Sequence, residues 1–304
     1  MFEAIVALGI QSGTILHVAL PDGAVRTIHT DAAGSSPDGV VVENGRIYWT
    51  TMGLPSWDPD REGEAALDYS ARTGGLHSIL LDGTDRRDLV APGAMTTGKQ
   101  LASDGAGRLY WGDREGCRVS SVGTDGSGLR DLVVNAPAPD RLAECVGVAV
   151  DPARGHLYWT QKGPAKGGRG RILRAGLELP AGATPEDRPD IETLWDGLPE
   201  PIDLEIVGDT LYWTDRGAAP DGNSLNRASL PAAGATGGAP EILARGFAEA
   251  IGLAVDAAAG LAYVSDLGGR IWRVPLDGGE PEILVDLGAP VSGIVGLRTG
   301  AEPH

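Results

Sequence analysis

The chain has 304 residues, a formal net charge of −17, 46 glycines, 21 prolines and two cysteines. The acidity speaks against nucleic acid or an anionic membrane as a partner, since both ask for a basic face. No run of about 18 apolar residues is present to span a bilayer. The start, Met1-Phe2-Glu3-Ala4-Ile5, lacks the basic region of a secretory signal, and Cys117 and Cys145 are too few for a disulfide framework, so a cytoplasmic protein is expected.

From the N-terminus, residues 3–8 and 14–20 read as two strands, followed by the turn Pro21-Asp22-Gly23. A phrase then appears that the chain repeats: Gly45-Arg46-Ile47-Tyr48-Trp49-Thr50-Thr51. It returns as Gly107-Arg108-Leu109-Tyr110-Trp111-Gly112-Asp113, as Gly155-His156-Leu157-Tyr158-Trp159-Thr160-Gln161 and as Asp209-Thr210-Leu211-Tyr212-Trp213-Thr214-Asp215, with a weaker copy in Gly260-Leu261-Ala262-Tyr263-Val264-Ser265-Asp266. The tyrosines are 62, 48, 54 and 51 residues apart. A period near 50 residues with one strand-like phrase per period marks a propeller. Stacked repeats form one continuous body, so a single domain over residues 1–304 is expected.

Each unit carries four strand signals: an inner strand, the Tyr-Trp strand, a third strand, and a fourth beyond a turn such as Asp82-Gly83, Asp125-Gly126 or Asp277-Gly278. Asp-Gly tolerates positive φ and suits tight hairpins. The fourth and fifth units use longer Pro/Gly-rich loops instead, at 179–189 and 231–240. The N-terminal pair of strands has no inner strand upstream. Val291-Ser292-Gly293-Ile294-Val295-Gly296 resembles the inner strands Val146-Gly147-Val148-Ala149-Val150 and Ile251-Gly252-Leu253-Ala254-Val255, and so completes the first blade. The expectation is an all-β, six-bladed β-propeller with four antiparallel strands per blade, closed by the C-terminal strand. Closure protects the edge strands.

The Tyr-Trp-Thr-Asp phrase with its following Leu-Asp-Gly turn resembles the YWTD propellers, the repeat class of the low-density lipoprotein receptor. The resemblance covers nearly the whole chain and implies six blades. It does not imply receptor function, because the cysteine-rich modules that flank those propellers are missing from this sequence. The chain looks more like the free-standing microbial propellers, a group that includes enzymes of small-molecule metabolism. Broader six-bladed relatives include lactonases, strictosidine-synthase-like proteins and fungal hetero-Diels-Alderases, and fold does not fix function among them.

Strand direction places the joins between second and third strands, and those between blades, on one face. The longest insertion, residues 52–74, lies there with Trp57 and Tyr69, as do residues 135–144, 162–169 and 216–222. Loops on a rigid scaffold carry function, so the ligand mouth is expected on this face. The inner strands line the channel below it. Their second positions read Gly39, Gln100, Gly147, Asp203, Gly252 and Gly293, and two residues further on they read Val41, Ala102, Ala149, Glu205, Ala254 and Val295. Glycine fits a crowded axis. Gln100, Asp203 and Glu205 break the pattern, and residues i and i+2 share a face roughly 7 Å apart. Asp203 and Glu205 are therefore expected to point together into the channel, where confinement raises a carboxyl pKa and makes a general base available near neutral pH. The plainer alternative is a water-filled channel with a polar lining.

The first ring positions add Asp38 and Lys99, with Glu144 just above, and Lys99 is expected to pair with Asp203 or Glu144. A lysine among carboxylates reads first as a structural ion pair and second as a Schiff-base nucleophile. The residue after the Tyr-Trp strand is basic in three consecutive blades, Arg114, Lys162 and Arg216, an arc suited to a developing negative charge. A local pair with the preceding aspartate is the alternative. The histidines His17, His29, His77, His156 and His304 miss the mouth, so no Ser-His-Asp or Cys-His arrangement arises, and no spacing suggests zinc. Calcium held by Asp203, Glu205 and Glu144 has suitable oxygen donors, but no metal is expected. No glycine-rich nucleotide motif is present, and no cofactor is expected.

The sequence thus points to an enzyme acting on a small-molecule substrate without a redox cofactor, a lyase, isomerase or cyclase. The catalytic candidates are Asp203, Glu205 and Lys99. The substrate-binding candidates are Gln100, Glu144, Arg114, Lys162, Arg216, Asp38 and Trp57. A non-catalytic binding scaffold and a metal-dependent lactonase-like hydrolase are the alternatives.

Overall fold

The computed structural model describes residues 1–32, 34–62 and 66–298. His304, the end of the expected domain and residues 63–65 of the long insertion lie outside the described residues. Six four-stranded antiparallel sheets form, and each of five takes four consecutive long strands of the chain, with the long insertion lying between the second and third strands of the second blade. The sixth pairs Val291–Leu297 with Ala4–Gly9, so the last strand supplies the inner strand of blade 1 and closes the ring. The insertion adds a two-stranded ribbon, Ser56–Trp57 against Leu67–Asp68. No helix is long and apolar enough to cross a membrane among the described residues.

The repeated phrase explains how the blades hold together. Successive residues of a strand point to opposite faces, so Tyr and Trp of one phrase serve two different interfaces. Tyr48 packs toward blade 3 against Leu109 and Trp111, whereas Trp49 packs back on Val6 and Leu8 of blade 1. Tyr110 likewise meets Trp159, and Tyr158 meets Trp213. All four tryptophans of the phrase are fully buried. The following hydroxyl is a staple. Thr50, Thr160 and Thr214 each accept from a backbone N–H of their own inner strand, at Gly39, Gly147 and Asp203, and donate to a carbonyl of the next blade, at Lys99, Ile202 and Ile251. Ser265 does the same between Gly252 and Ser292. Blade 3 has Gly112 here, and a Cβ would sit 2.6 Å from the Val146 carbonyl, so the blades approach too closely for a side chain.

The same crowding accounts for the glycine ring. A Cβ on Gly39 would stand 2.5 Å from the Lys99 carbonyl, and one on Gly252 would stand 2.6 Å from that of Ser292. Asp203 departs from the ring because its carboxylate reaches into the next blade, where it accepts from Leu253 N at 3.0 Å.

Candidate functional site

The first ring positions divide the axis. Val146, Ile202 and Ile251 form an apolar cluster, with Leu267 against it. On the other side of the ring, Asp38 accepts from the Lys99 ammonium and from Gln100 Nε2 at 3.1 Å. Above this layer lies a cavity of about 670 Å³, and below it, in the channel, one of about 460 Å³.

Asp38, Lys99, Arg114, Arg216, Glu249 and Trp57 line the upper cavity. Lys99 forms its floor, with Nζ also 3.3 Å from Met52 Sδ. Burial lowers the pKa of Lys99, the Asp38 carboxylate opposes that, and the nearby Arg114 charge adds to it. Arg114 donates to Glu115 Oε1 at 2.7 Å and lies over the Tyr69 ring, 5.7 Å from its centroid. Burial alone would raise the pKa of Glu115, but Arg114, Thr97 and Lys99 together hold it below the usual carboxylate value. Arg216 pairs with Glu249 at 2.7 Å and lies 3.5 Å from Glu200.

The lower cavity is lined by Gln100, Asp203 and Glu205 among small apolar residues, with Phe2 and Arg298 at its mouth. Glu205 accepts from Val255 N at 2.8 Å. Burial drives both acids upward. Asp203 lies well above its ordinary value, a rise that its backbone donors reduce and the charges of Glu205 and Asp38 increase. Glu205 is pushed up to about 8, against the pull of the Val255 amide and of Arg298. Among the described residues, no group of three or more His, Cys, Asp or Glu side chains is placed to hold a metal ion.

No family model matches the chain. It is 41% identical over 283 residues to a "Low-density lipoprotein receptor-related protein 1" of Pyricularia oryzae, covering 87% of this chain and 86% of that protein. The chain belongs to the low-density lipoprotein receptor-related propeller family. A "3-hydroxyacyl-CoA dehydrogenase-like protein LAM1" of Cochliobolus heterostrophus is 38% identical over 294 residues, which are 91% of this propeller but only 58% of that relative. In architecture the propeller is similar to a chain of a crystal structure of a nidogen/laminin complex, with a TM-score of 0.70 at 15% identity over 96% of this chain and 97% of that one. TolB from Acinetobacter baumannii gives a TM-score of 0.62 at 10% identity, over 96% and 65%.

This receptor-related propeller does not assemble the expected residues into one site. Asp38, Lys99, Arg114, Arg216 and Trp57 meet in the upper cavity, while Gln100, Asp203 and Glu205 face the lower one. Lys99 pairs with Asp38, not with Asp203 or Glu144, because the second and third ring positions lie deeper along the strand than the apolar layer. Glu144 and Lys162 line neither cavity. Glu144 accepts from Arg141 at 2.7 Å. Lys162 is buried in a pair with the fully buried Glu200 at 3.1 Å, and Glu200 also accepts from Lys166 N. The upper cavity therefore opens over blades 1, 2, 3, 5 and 6, and blade 4 contributes nothing to its lining.

One column of the repeat holds the residues that the basic arc left out. The position after each second strand reads Ile10, Met52, Arg114, Lys162, Arg216 and Leu267. All but Lys162 line the upper cavity. Blades 6, 1 and 2 thus supply an apolar half, and blades 3 and 5 supply the two arginines opposite it. The apolar half was as visible in the aligned repeats as the basic one. Tyr69 had no such signal, since only the folding of the insertion brings it under Arg114.

Proposed function

We propose that this propeller is an enzyme of small-molecule metabolism, of the free-standing YWTD type, that acts in the upper cavity on an amphipathic substrate and uses no redox cofactor. The observation that carries this reading is the split column. Ile10, Met52 and Leu267 offer an apolar wall opposite Arg114 and Arg216, inside a cavity of about 670 Å³. Sites of a few hundred cubic ångströms with apolar walls and a few convergent polar groups suit drug-sized ligands. An apolar body would lie on the wall and under Trp57. A carboxylate or enolate would face the guanidinium groups, which bind planar oxyanions through paired donors.

Proton transfer falls to the Asp38–Lys99 pair at the floor. An ammonium with a lowered pKa is a better acid than a free lysine, and its carboxylate partner can take the proton back. Asp203 and Glu205 are less suited to the same substrate, because they accept from blade 6 amides beneath the apolar layer. The reaction class that fits is a lyase, isomerase or cyclase step. The hydride transfer suggested by one relative's name is not carried over: a dinucleotide-binding fold is a βαβ unit, and no α-helix occurs among the described residues.

Calorimetric titration with octanoate, octan-1-ol and octylamine tests this reading. The three share an apolar body and differ in the head group. Octanoate is expected to bind at least about tenfold more tightly than the other two, the scale of one charge-assisted contact. Equal affinities, or a preference for the amine, would overturn it.

A second reading, a non-catalytic scaffold for a protein partner, is favoured by Leu54 and Trp57, which are 59% and 63% exposed on the same insertion. Binding of octanoate at the cavity with no change on truncating Leu54 separates the two.

A further inference from the structure

The sequence contains three lysines, Lys99, Lys162 and Lys166. Their environments differ sharply. Lys166 is exposed and pairs with Glu249 at 2.9 Å. Lys162 is sealed beneath the wall with Glu200. Lys99 is buried yet opens on the upper cavity, with its amine between the Asp38 carboxylate and the Met52 thioether. A cavity floored by a buried primary amine with a proton acceptor in contact is the arrangement that carbonyl condensation needs.

From this geometry we infer that Lys99 is a covalent catalytic residue that condenses with an aldehyde or ketone carbonyl of the substrate to form an iminium ion. The inference rests on the reading of the upper cavity as the substrate site and adds the substrate's reactive group to it. Asp38 takes the proton from the Lys99 ammonium. The neutral Nζ attacks the carbonyl carbon, and the C=O π electrons move to oxygen to give a carbinolamine. Two protons reach that oxygen, one directly from the attacking nitrogen and the one held by Asp38, and the nitrogen lone pair forms the C=N bond as the C–O bond breaks and water leaves. One ammonium and one carbonyl thus give one iminium and one water, with no oxidant or reductant consumed.

The iminium is a cation beside the Asp38 carboxylate, which Gln100 Nε2 holds in place at 3.1 Å. It draws electrons from the adjacent carbon, so that a C–H bond there can break, its electron pair forming a neutral enamine with the Lys99 nitrogen and its proton passing to the Asp38 carboxylate. Arg114 and Arg216 would hold a carboxylate on the same substrate. The substrate class is an apolar carbonyl compound bearing a carboxylate. Burial and the Met52 thioether, 3.3 Å from Nζ, favour the neutral amine over the ammonium.

The test is reductive trapping of the full chain. Octanal and 2-oxooctanoate are offered separately with cyanoborohydride, and the adduct is mapped by peptide mass spectrometry. The expected result is one adduct per chain on Lys99, formed at least tenfold faster than on the exposed Lys166 and suppressed by excess octanoate. Lys99→Arg should abolish it, and Asp38→Asn should slow it at least tenfold while Lys99 remains present. Adducts confined to Lys166 and the N-terminal amine, or an unchanged yield in Lys99→Arg, would overturn the inference. If the variants fail to fold, site mapping and octanoate competition on the unmodified chain still decide it. Octanoate binding without Lys99 labelling would overturn the covalent step alone. No binding and no labelling would overturn the cavity reading with it.

Discussion

The two ends of the central channel are built from the same six inner strands, yet they do opposite things with their polar groups. At the lower end, Asp203 and Glu205 each accept a backbone amide of blade 6 and so fill the gap between two blades. At the upper end, Lys99 and Asp38 meet each other across the blade 2–blade 3 boundary and open on a cavity with an apolar half and a basic half. Acids that satisfy backbone donors hold blades together. A charged pair that needs no backbone partner is available to a ligand. Counting buried charges therefore misleads, and the partners of each charge are the informative quantity.

The two largest expected effects concern the scaffold that both ends share. Trp159→Ala should cost about 3–5 kcal/mol in denaturant unfolding, because the ring is fully buried between blades 3 and 4. If that variant kept its stability and lost octanoate binding, the aromatic set would be functional and the division of labour would fail. Glu200→Gln should cost a similar ~3–5 kcal/mol, since it removes a buried carboxylate that pairs with the buried Lys162 ammonium at 3.1 Å. A loss under 1 kcal/mol would mean that Lys162 finds its charge partner elsewhere, and the basic arc would need redrawing.

The lower end has a distinct signature in pH. A glutamate whose folded pKa is raised from 4.5 to about 8 binds a proton in the native state that the unfolded chain has already released. Its stabilising effect is complete below the unfolded pKa and is lost as pH rises toward about 8. Stability should therefore fall across that window, by at most about 1.4 kcal/mol per pH unit from this group. Glu205→Gln should flatten the slope in thermal or chemical unfolding between pH 5 and 8 (roughly the span of that linkage). An unchanged slope would show that Glu205 is ionised in the fold. The smallest effect belongs to the upper end: Trp57→Ala should leave stability within about 0.5 kcal/mol, because the ring is largely exposed, yet weaken octanoate several-fold.

The architecture was almost entirely legible in the repeats, because the phrase encodes both of its interfaces and its staple. Tyr and Trp alternate across the strand, and the threonine closes the joint. The closing strand was legible from the likeness of Val291-Ser292-Gly293-Ile294-Val295-Gly296 to the other inner strands. The site was legible in half. Alignment of the repeats tells which face a residue occupies, and Lys99, Asp38, Arg114 and Arg216 do line one cavity. Depth along the axis is a different matter. Asp203 follows Ile202 directly, and nothing in a period-2 pattern says that the Ile202 layer seals one residue from the other. Lys162 was misplaced for a related reason: its position in the column matches Arg114, but Glu200 pulls the amine inward. Tyr69 depends on the path of an insertion, which no repeat constrains.

The central claim is that ligand binds at the upper cavity and not in the channel below it. Calorimetry of octanoate on two variants tests it directly: Leu267→Glu, which puts a carboxylate on the apolar wall, and Glu205→Gln, which replaces the carboxyl group below. Leu267→Glu should weaken octanoate by about tenfold or more, near 1.4 kcal/mol, and Glu205→Gln should leave the affinity unchanged. The reverse result, full affinity in Leu267→Glu and a loss in Glu205→Gln, would place the ligand in the lower channel and contradict the account.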